Sequence, residues 1–484
     1  MVSPVQVRPS PSRIVVPRRI AGIELAFLPA VEQARLVSGR DVSSVELVET
    51  YLERIERLDP ALNSFVTVCG EEALAAARAA DESAGDGPFH GVPIAVKDLT
   101  ATAGILTTYS SRAFAENVPD FDTAVVRRIR EAGFVIVGKT NTPEFGTTAF
   151  TESELNGTTR NPWDPERTPG GSSGGAAAAV AAGLIPLAHG SDGGGSIRIP
   201  ASCCGLFGLK PSRGRVSTAP FPSLEGLSTA GPISRSVADA AALLDVLAGY
   251  EPGDPWWTPP PERPFIDEVG ADPGRLRIAV TSLPTYDTPV DPECLEALES
   301  AATLIVDLGH DLVEATPPWA VPGLAEAFIT VWQVSPTLYP GDTELFTPLN
   351  RGLVEAARTT SAAEHASAVF QVQTVARRVV EFWQDFDVVL TPTLALPPVP
   401  IGWQEAGTED AVAQLIRNVE FTPFTAIANM TGLPAISLPL HWSGDDLPIG
   451  VQAIGPPAGE ALLLRLAAQV ESARPWSERR PPMS

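Results

Sequence analysis

The sequence has no run of about 20 consecutive apolar residues, the length that a membrane-spanning helix needs. Residues 1–22 are rich in proline and arginine and contain no apolar stretch of the kind found in secretory signals. We therefore expect a cytoplasmic protein that associates with no membrane. Residues 1–22 are predicted to form a loose arm, and residues 23–484 a single domain.

Cysteine and positive charge are also scarce. The four cysteines form no CxxC pair, and no His, Cys or Asp cluster has metal-ligand spacing. This predicts free thiols in a reducing compartment, with no metal and no cofactor. The 34 basic residues face 58 acidic ones, which gives a net charge of −24. Such a charge repels phosphate backbones, so we expect no nucleic acid as a partner.

Lysine is almost absent, because only Lys97, Lys139 and Lys210 occur among the 34 basic residues. Arginine keeps its proton in proteins, whereas a buried lysine can lose it. A lysine in a chain that otherwise uses arginine is therefore a candidate for proton transfer. For Lys139 and Lys210, packing or hydrogen bonding to the backbone is the simpler interpretation.

Short apolar runs alternate with amphipathic segments along the chain, which predicts an α/β fold with a partly parallel sheet. The predicted strands include residues 92–96, 134–137, 276–280, 429–440 and 448–454. The predicted helices include residues 123–132, 237–247, 293–308, 372–383 and 460–471. Residues 394–420 are rich in proline and glycine and are predicted to form a long loop.

Two segments rich in glycine and serine, residues 170–175 and 193–196, point to chemistry when they are taken together. Glycines that precede a serine let consecutive backbone N–H groups point into one concavity, which suits a developing oxyanion. A serine at its edge is a candidate nucleophile if a base can take its proton. A turn is the simplest interpretation of either segment alone.

Two other glycine-rich motifs are alternatives. A phosphate-binding P-loop requires a lysine after its last glycine, and neither segment has one. Gly170-x-Ser172-x-Gly174 also matches the nucleophile elbow of α/β-hydrolases, which follows a strand and precedes an acid and a histidine. Residues 161–165 do not resemble a strand, but several histidines follow, so an esterase with Ser172 as nucleophile stays open on these residues.

Lys97, the GSSGG sequence of residues 171–175 and the GSDGGGSIRIP sequence of residues 190–200 together resemble the amidase signature family. The resemblance is dense over about residues 90–215. Within the family, residues 157–163 and 188–192 look most similar to 6-aminohexanoate cyclic dimer hydrolases and to bacterial aryl acylamidases and urethanases. The resemblance to the family implies a mixed central β-sheet sandwiched between layers of α-helices. In one departure, Gly193 stands where most members carry threonine or a similar side chain.

The resemblance also implies a role for individual residues. Ser196 would be the nucleophile, Ser172 a bridging serine after a cis peptide bond, and Lys97 the base. The expected oxyanion hole consists of the N–H groups of Gly193, Gly194, Gly195 and Ser196. The expected supporting residues are Gly171, Ser173, Asp192 and Arg198.

Substrate specificity is expected to depend on residues 318–360 and 394–427, which would shape the pocket. The candidate pocket residues are Thr147, Phe150, Trp332, Phe424 and Ile427. Because they are mostly apolar, we expect small uncharged amides or carbamates as substrates of a monomer or homodimer. The family offers an alternative, the amidase subunit of a glutamyl-tRNA amidotransferase, which works with partner subunits and tRNA. The net charge and Ile199, where that subunit usually has glutamine, argue against it.

Overall fold

The computed structural model describes residues 24–83, 85, 87–408 and 410–484, so the predicted arm of residues 1–22 lies outside the described residues. The strands are β1 Phe65–Val68, β2 Pro93–Lys97, β3 Val135–Thr140, β4 Glu152–Ser153, β5 Gly157–Thr158, β6 Leu187–Asp192, β7 Phe207–Lys210, β8 Thr229–Ser234, β9 Arg277–Val280, β10 Asp311–Glu314, β11 Val388–Pro392, β12 Ala435–Trp442 and β13 Pro448–Ile454. The helices are α1 Ala30–Ser38, α2 Ser44–Leu62, α3 Gly70–Glu82, α4 Ala124–Glu131, α5 Gly174–Ala181, α6 Arg198–Cys204, α7 Val237–Leu247, α8 Pro292–Asp307, α9 Leu324–Trp332, α10 Pro348–Thr359, α11 Ala362–Glu381, α12 Ala411–Phe421, α13 Ala426–Thr431 and α14 Glu460–Ala473.

Eleven of the strands form one mixed sheet in the order β1-β3-β2-β6-β8-β7-β12-β13-β11-β9-β10. The neighbours β3, β2 and β6 are parallel, as are β11, β9 and β10, whereas the central strands pair antiparallel. The predicted α/β class with a partly parallel sheet is therefore confirmed.

Helices cover both faces of this sheet. Since successive residues of a strand point to opposite faces, one strand contributes side chains to the apolar cores on both sides. In β2, Ile94 and Val96 belong to an apolar core shared with α4, α7, α8 and α14. Ala95, between them, belongs to a second core with α2, α3, α5 and α6. A third core packs α9, α11 and α13 on the β11–β13 part of the sheet. The layered arrangement that the family resemblance implies is thus present.

Two sequence predictions are wrong in the C-terminal part of the chain. The predicted loop of residues 394–420 contains most of α12, which begins where the Asp410 side chain accepts a hydrogen bond from the Ala413 N–H. Proline and glycine are concentrated before residue 408, so the composition of the whole segment concealed the helix. The predicted strand of residues 429–440 begins only at Ala435, because α13 extends to Thr431 and Gly432 ends it with a positive φ.

Candidate active site

The candidate catalytic residues lie where two parallel strands end. β2 ends at Lys97, and its neighbour β6 ends at Asp192, directly before the loop that carries Ser196. The carboxyl ends of parallel strands lie at the same edge of a sheet, so both strands deliver their last residues to one place. The segment that carries Ser172 reaches this edge just before α5 begins at Gly174.

The Lys97 side chain is fully buried at this edge and has few partners. Its ammonium group donates to Ser172 Oγ at 2.7 Å and to Ser191 Oγ at 3.1 Å. Burial lowers the pKa of Lys97 to about 7, although the negative charge of Asp192 acts in the opposite direction. A lysine with such a pKa is neutral in a large fraction of molecules near pH 7 and can then accept a proton.

The backbone just before Ser172 packs closely against the backbone at Phe150. The peptide bond between Gly171 and Ser172 is cis. A Cβ atom on Gly171 would lie 2.8 Å from the backbone nitrogen of Phe150, so only glycine fits before Ser172. None of the residues described between β5 and α5 forms a strand that leads into Ser172. The nucleophile-elbow alternative, which requires such a strand, is therefore wrong.

Ser173 connects the two serine-bearing segments and does not bind Lys97 directly. Its N–H donates to the carbonyl oxygen of Ser196 at 3.2 Å, and its hydroxyl donates to the carbonyl oxygen of Ser191 at 3.2 Å. Because Ser191 in turn accepts from Lys97, Ser173 supports the lysine through Ser191.

The loop before Ser196 has three backbone donors with no acceptor among the described residues, the N–H groups of Gly193, Gly194 and Ser196. Gly195 differs from the expectation, because its N–H donates to Asp192 Oδ1 at 2.7 Å. That N–H is therefore already used within the loop. Gly195 also has a positive φ of 136°, and a Cβ there would lie 2.4 Å from Thr425 Oγ1.

A buried ion pair fixes this loop from below. Arg198 donates to both carboxylate oxygens of Asp192, at 3.0 Å each, and both side chains are fully buried. Burial by itself raises the pKa of Asp192, but the positive charge and hydrogen bonds of Arg198 outweigh it and lower that pKa to about 2. Asp192 therefore stays ionised and holds the Gly195 and Ile197 N–H groups.

Sequence reasoning missed three polar residues of this site. Arg198 also donates to Gln452 Oε1 at 2.6 Å and to Asn429 Oδ1 at 2.7 Å, and Asn429 donates to Asp192 Oδ1. Ser191, the second partner of Lys97, is the third. The available signal was a polar side chain within an apolar segment, as with Gln452 in the buried strand β13.

The other two lysines bond to backbone and hydroxyl oxygens, and Lys139 also forms a buried ion pair with Asp98 at 3.8 Å. Lys139 donates to the Thr100 carbonyl oxygen at 2.6 Å and to Thr107 Oγ1 at 2.8 Å, and Lys210 donates to the Pro211 carbonyl oxygen at 2.8 Å. Burial lowers the pKa of Lys139 to about 8 and that of Lys210 to about 7. Neither has a serine of the candidate triad as a hydrogen-bond partner.

A cavity opens beside Ser196, which is 7% exposed and contributes to the lining. Apolar lining residues include Ile199, Leu324, Phe328, Trp332, Leu415 and Met430. Polar lining residues include Thr147, Thr148, Thr285, Tyr286, Asn418 and Thr422. No Asp, Glu, Lys, Arg or His is present among these cavity-lining residues of the described chain.

Of the five predicted pocket residues, the structure brings Thr147 and Trp332 to this cavity. Phe150, Phe424 and Ile427 do not line it. Phe150 stacks on Phe421 in the core, at 5.2 Å between ring centroids, and Phe424 and Ile427 are buried outside the cavity lining. The same aromatic and apolar residue types line pockets and fill cores, so the sequence alone could not separate pocket residues from core residues.

Among the residues that the structure describes, no cluster of three or more His, Cys, Asp or Glu has the arrangement of a metal site. In the same part of the chain, none of the helices is long and apolar enough to span a membrane.

The family model described as Amidase matches residues 46–464. The putative amidase AmiB2 of Mycobacterium tuberculosis is 44% identical over 479 residues, covering 95% of this chain and 99% of the relative. The solved structure of 6-aminohexanoate cyclic dimer hydrolase superposes with a TM-score of 0.90 and 36% identity, covering 95% of this chain and 99% of that one.

A bacterial aryl acylamidase of the amidase signature family superposes with a TM-score of 0.84 and 28% identity, covering 93% of this chain and 97% of that one. These matches extend over nearly the whole chain, and they include the strand ends and loops that carry Lys97, Ser172 and Ser196. The chain therefore belongs to the amidase signature family and is an amide hydrolase related to 6-aminohexanoate cyclic dimer hydrolase.

Proposed function

We propose that this enzyme hydrolyses small, uncharged amides or carbamates through an acyl-enzyme on Ser196. The observation that carries this substrate class is the cavity at Ser196, whose lining, among the residues that the structure describes, consists of apolar and neutral polar side chains. A charged substrate group would lose its hydration there without gaining an ion pair, which is costly. An uncharged amide avoids the loss of hydration of a charged group, and burial of its apolar part favours binding.

The proposed first step is attack of Ser196 Oγ on the carbonyl carbon. The proton of Ser196 passes to Ser172 as Ser172 gives its own proton to neutral Lys97, to which it is hydrogen-bonded at 2.7 Å. The carbonyl oxygen gains negative charge and is stabilised by the N–H groups of Gly193, Gly194 and Ser196. Removal of one oxyanion-hole donor typically costs a serine hydrolase about 3–4 kcal/mol of transition-state stabilisation.

In the proposed second step, the proton returns from Lys97 through Ser172 to the leaving nitrogen. An amine leaves poorly without this proton, because its anion is a very strong base. Water then attacks the acyl-enzyme, and its proton passes through Ser172 to Lys97, which again acts as the base. A pKa of about 7 suits Lys97 to both directions of transfer near neutral pH.

The experiment is hydrolysis of an anilide and a carbamate of one aromatic amine by the purified chain, with Ser196→Ala as control. We expect the wild type to cleave at least one substrate and Ser196→Ala neither. The ratio of the two kcat/KM values then separates amide from carbamate preference. If the wild type cleaves neither substrate but a fluorophosphonate labels Ser196, the site is competent and the proposed substrate class is wrong. Neither cleavage nor labelling would favour a subunit that requires partners.

A further inference from the structure

The absence of a side chain at Gly193 leaves room for an aromatic residue from a distant part of the chain. A Cβ atom on Gly193 would lie 2.8 Å from Cη2 and 3.0 Å from Cζ3 of Trp332. Carbon atoms in proteins do not approach so closely without displacement. The indole ring of Trp332 therefore occupies the space that any side chain at position 193 would need.

Several contacts hold this indole in place at the end of α9. Its Nε1–H donates to the Thr147 carbonyl oxygen at 3.0 Å. Its ring lies nearly parallel to that of Phe328, with an interplanar angle of 19° and 5.8 Å between centroids. Phe328 Cζ in turn lies 3.5 Å from the Cβ position of Gly194. Two parallel aromatic rings thus cover the two glycines whose N–H groups face the proposed oxyanion.

We propose that Gly193 and Trp332 act as a pair that selects substrates with a planar aromatic ring close to the scissile carbonyl carbon. This inference rests on the proposed function, which places that carbon at Ser196 Oγ and its oxygen at the Gly193 and Gly194 N–H groups. A flat ring stacks on the Trp332–Phe328 wall with more contact than a puckered saturated ring of the same carbon number. Aromatic stacking therefore supplies the discrimination.

The test is a binding measurement in the Ser196→Ala background, where substrate stays intact. Phenylacetamide and cyclohexylacetamide share an amide group and carbon skeleton and differ in ring planarity. Calorimetry should show phenylacetamide binding about two- to twelvefold more tightly. Trp332→Leu should abolish this ratio, and Trp332→Phe, which keeps a smaller ring, should retain part of it.

The role of Gly193 is tested by combining substitutions in the same background. Gly193→Ala should lower the ratio, because its Cβ displaces the indole. Once Trp332→Leu has removed the indole, Gly193→Ala should change the ratio of the two affinities little further. The effects of the two substitutions on this ratio are therefore expected to be strongly non-additive. Thermal unfolding of every variant checks that the fold is intact.

Equal affinities for the two amides, no binding of either at millimolar concentration, or additive effects of the two substitutions would overturn the inference. The proposed function is judged separately, by whether the enzyme with Ser196 intact turns over an amide or carbamate.

Discussion

At the scale of the residue, the candidate site contains one buried amine, Lys97, whose charge near pH 7 is set by its burial. Within the described part of the chain, Lys97 has no acidic side chain as a direct hydrogen-bond partner, and it donates to Ser172 and Ser191. Its burial therefore lowers the pKa to about 7. The scarcity of lysine in the sequence singled out three candidates, but only the structure separates Lys97 from Lys139 and Lys210 by their partners.

The pH dependence of activity follows from this pKa. Below pH 7 Lys97 is protonated and cannot accept the proton of Ser196, so kcat/KM for an uncharged amide should rise with pH and level off above about 7. A pH profile of kcat/KM measures this directly. Lys210 is the matched control, since burial lowers its pKa to about 7 as well.

The inflection should persist in Lys210→Met if Lys97 is the base. Its disappearance in that variant, or a fall in kcat/KM as pH rises through 7, would contradict the assignment.

At the scale of the element, helices and strands whose sequence signals lie within one segment could be predicted. Contacts between segments that are far apart in the sequence could not. The strand β13 and the helix α7 were predicted to the residue, because apolar periodicity and local start and stop signals define them. Helix α12 was missed because prolines and glycines before it dominated the segment. The three polar residues around Arg198 and Lys97 were missed because their contacts join strands and helices far apart in sequence.

The ion pair under the nucleophile loop gives a prediction at this scale. Arg198→Met leaves the Asp192 carboxylate buried without its cation, and breaking such a pair typically costs about 3–5 kcal/mol. Denaturant unfolding should show a loss of that size in the free energy of unfolding. The exposed pair Arg275–Asp311 is the control, where Arg275→Met should lower the free energy of unfolding far less, because water screens the two charges.

Equal losses in the two variants would show that the Asp192–Arg198 pair does not carry the stability assigned to it.

At the scale of the whole molecule, the sheet and the signature segments could be predicted, and the cavity could not. The signature residues lie within about residues 90–215, and their local sequence carries enough glycine and serine to mark them. The cavity wall instead combines α9, α12 and α13 with residues near Thr147, which meet only in the folded chain. The proposed substrate class therefore rests on the three-dimensional lining of the cavity, whereas the proposed nucleophile rests on the signature segments of the sequence.

We propose that Ser196, activated through Ser172 and Lys97, is the nucleophile of this amidase. Peptide mapping by mass spectrometry after reaction with a fluorophosphonate tests this assignment most directly, in the wild type and in Ser196→Ala and Lys97→Ala. We expect a single adduct on Ser196 in the wild type, no adduct in Ser196→Ala and much slower labelling in Lys97→Ala. An adduct on Ser172, or undiminished labelling of Ser196→Ala, would contradict it.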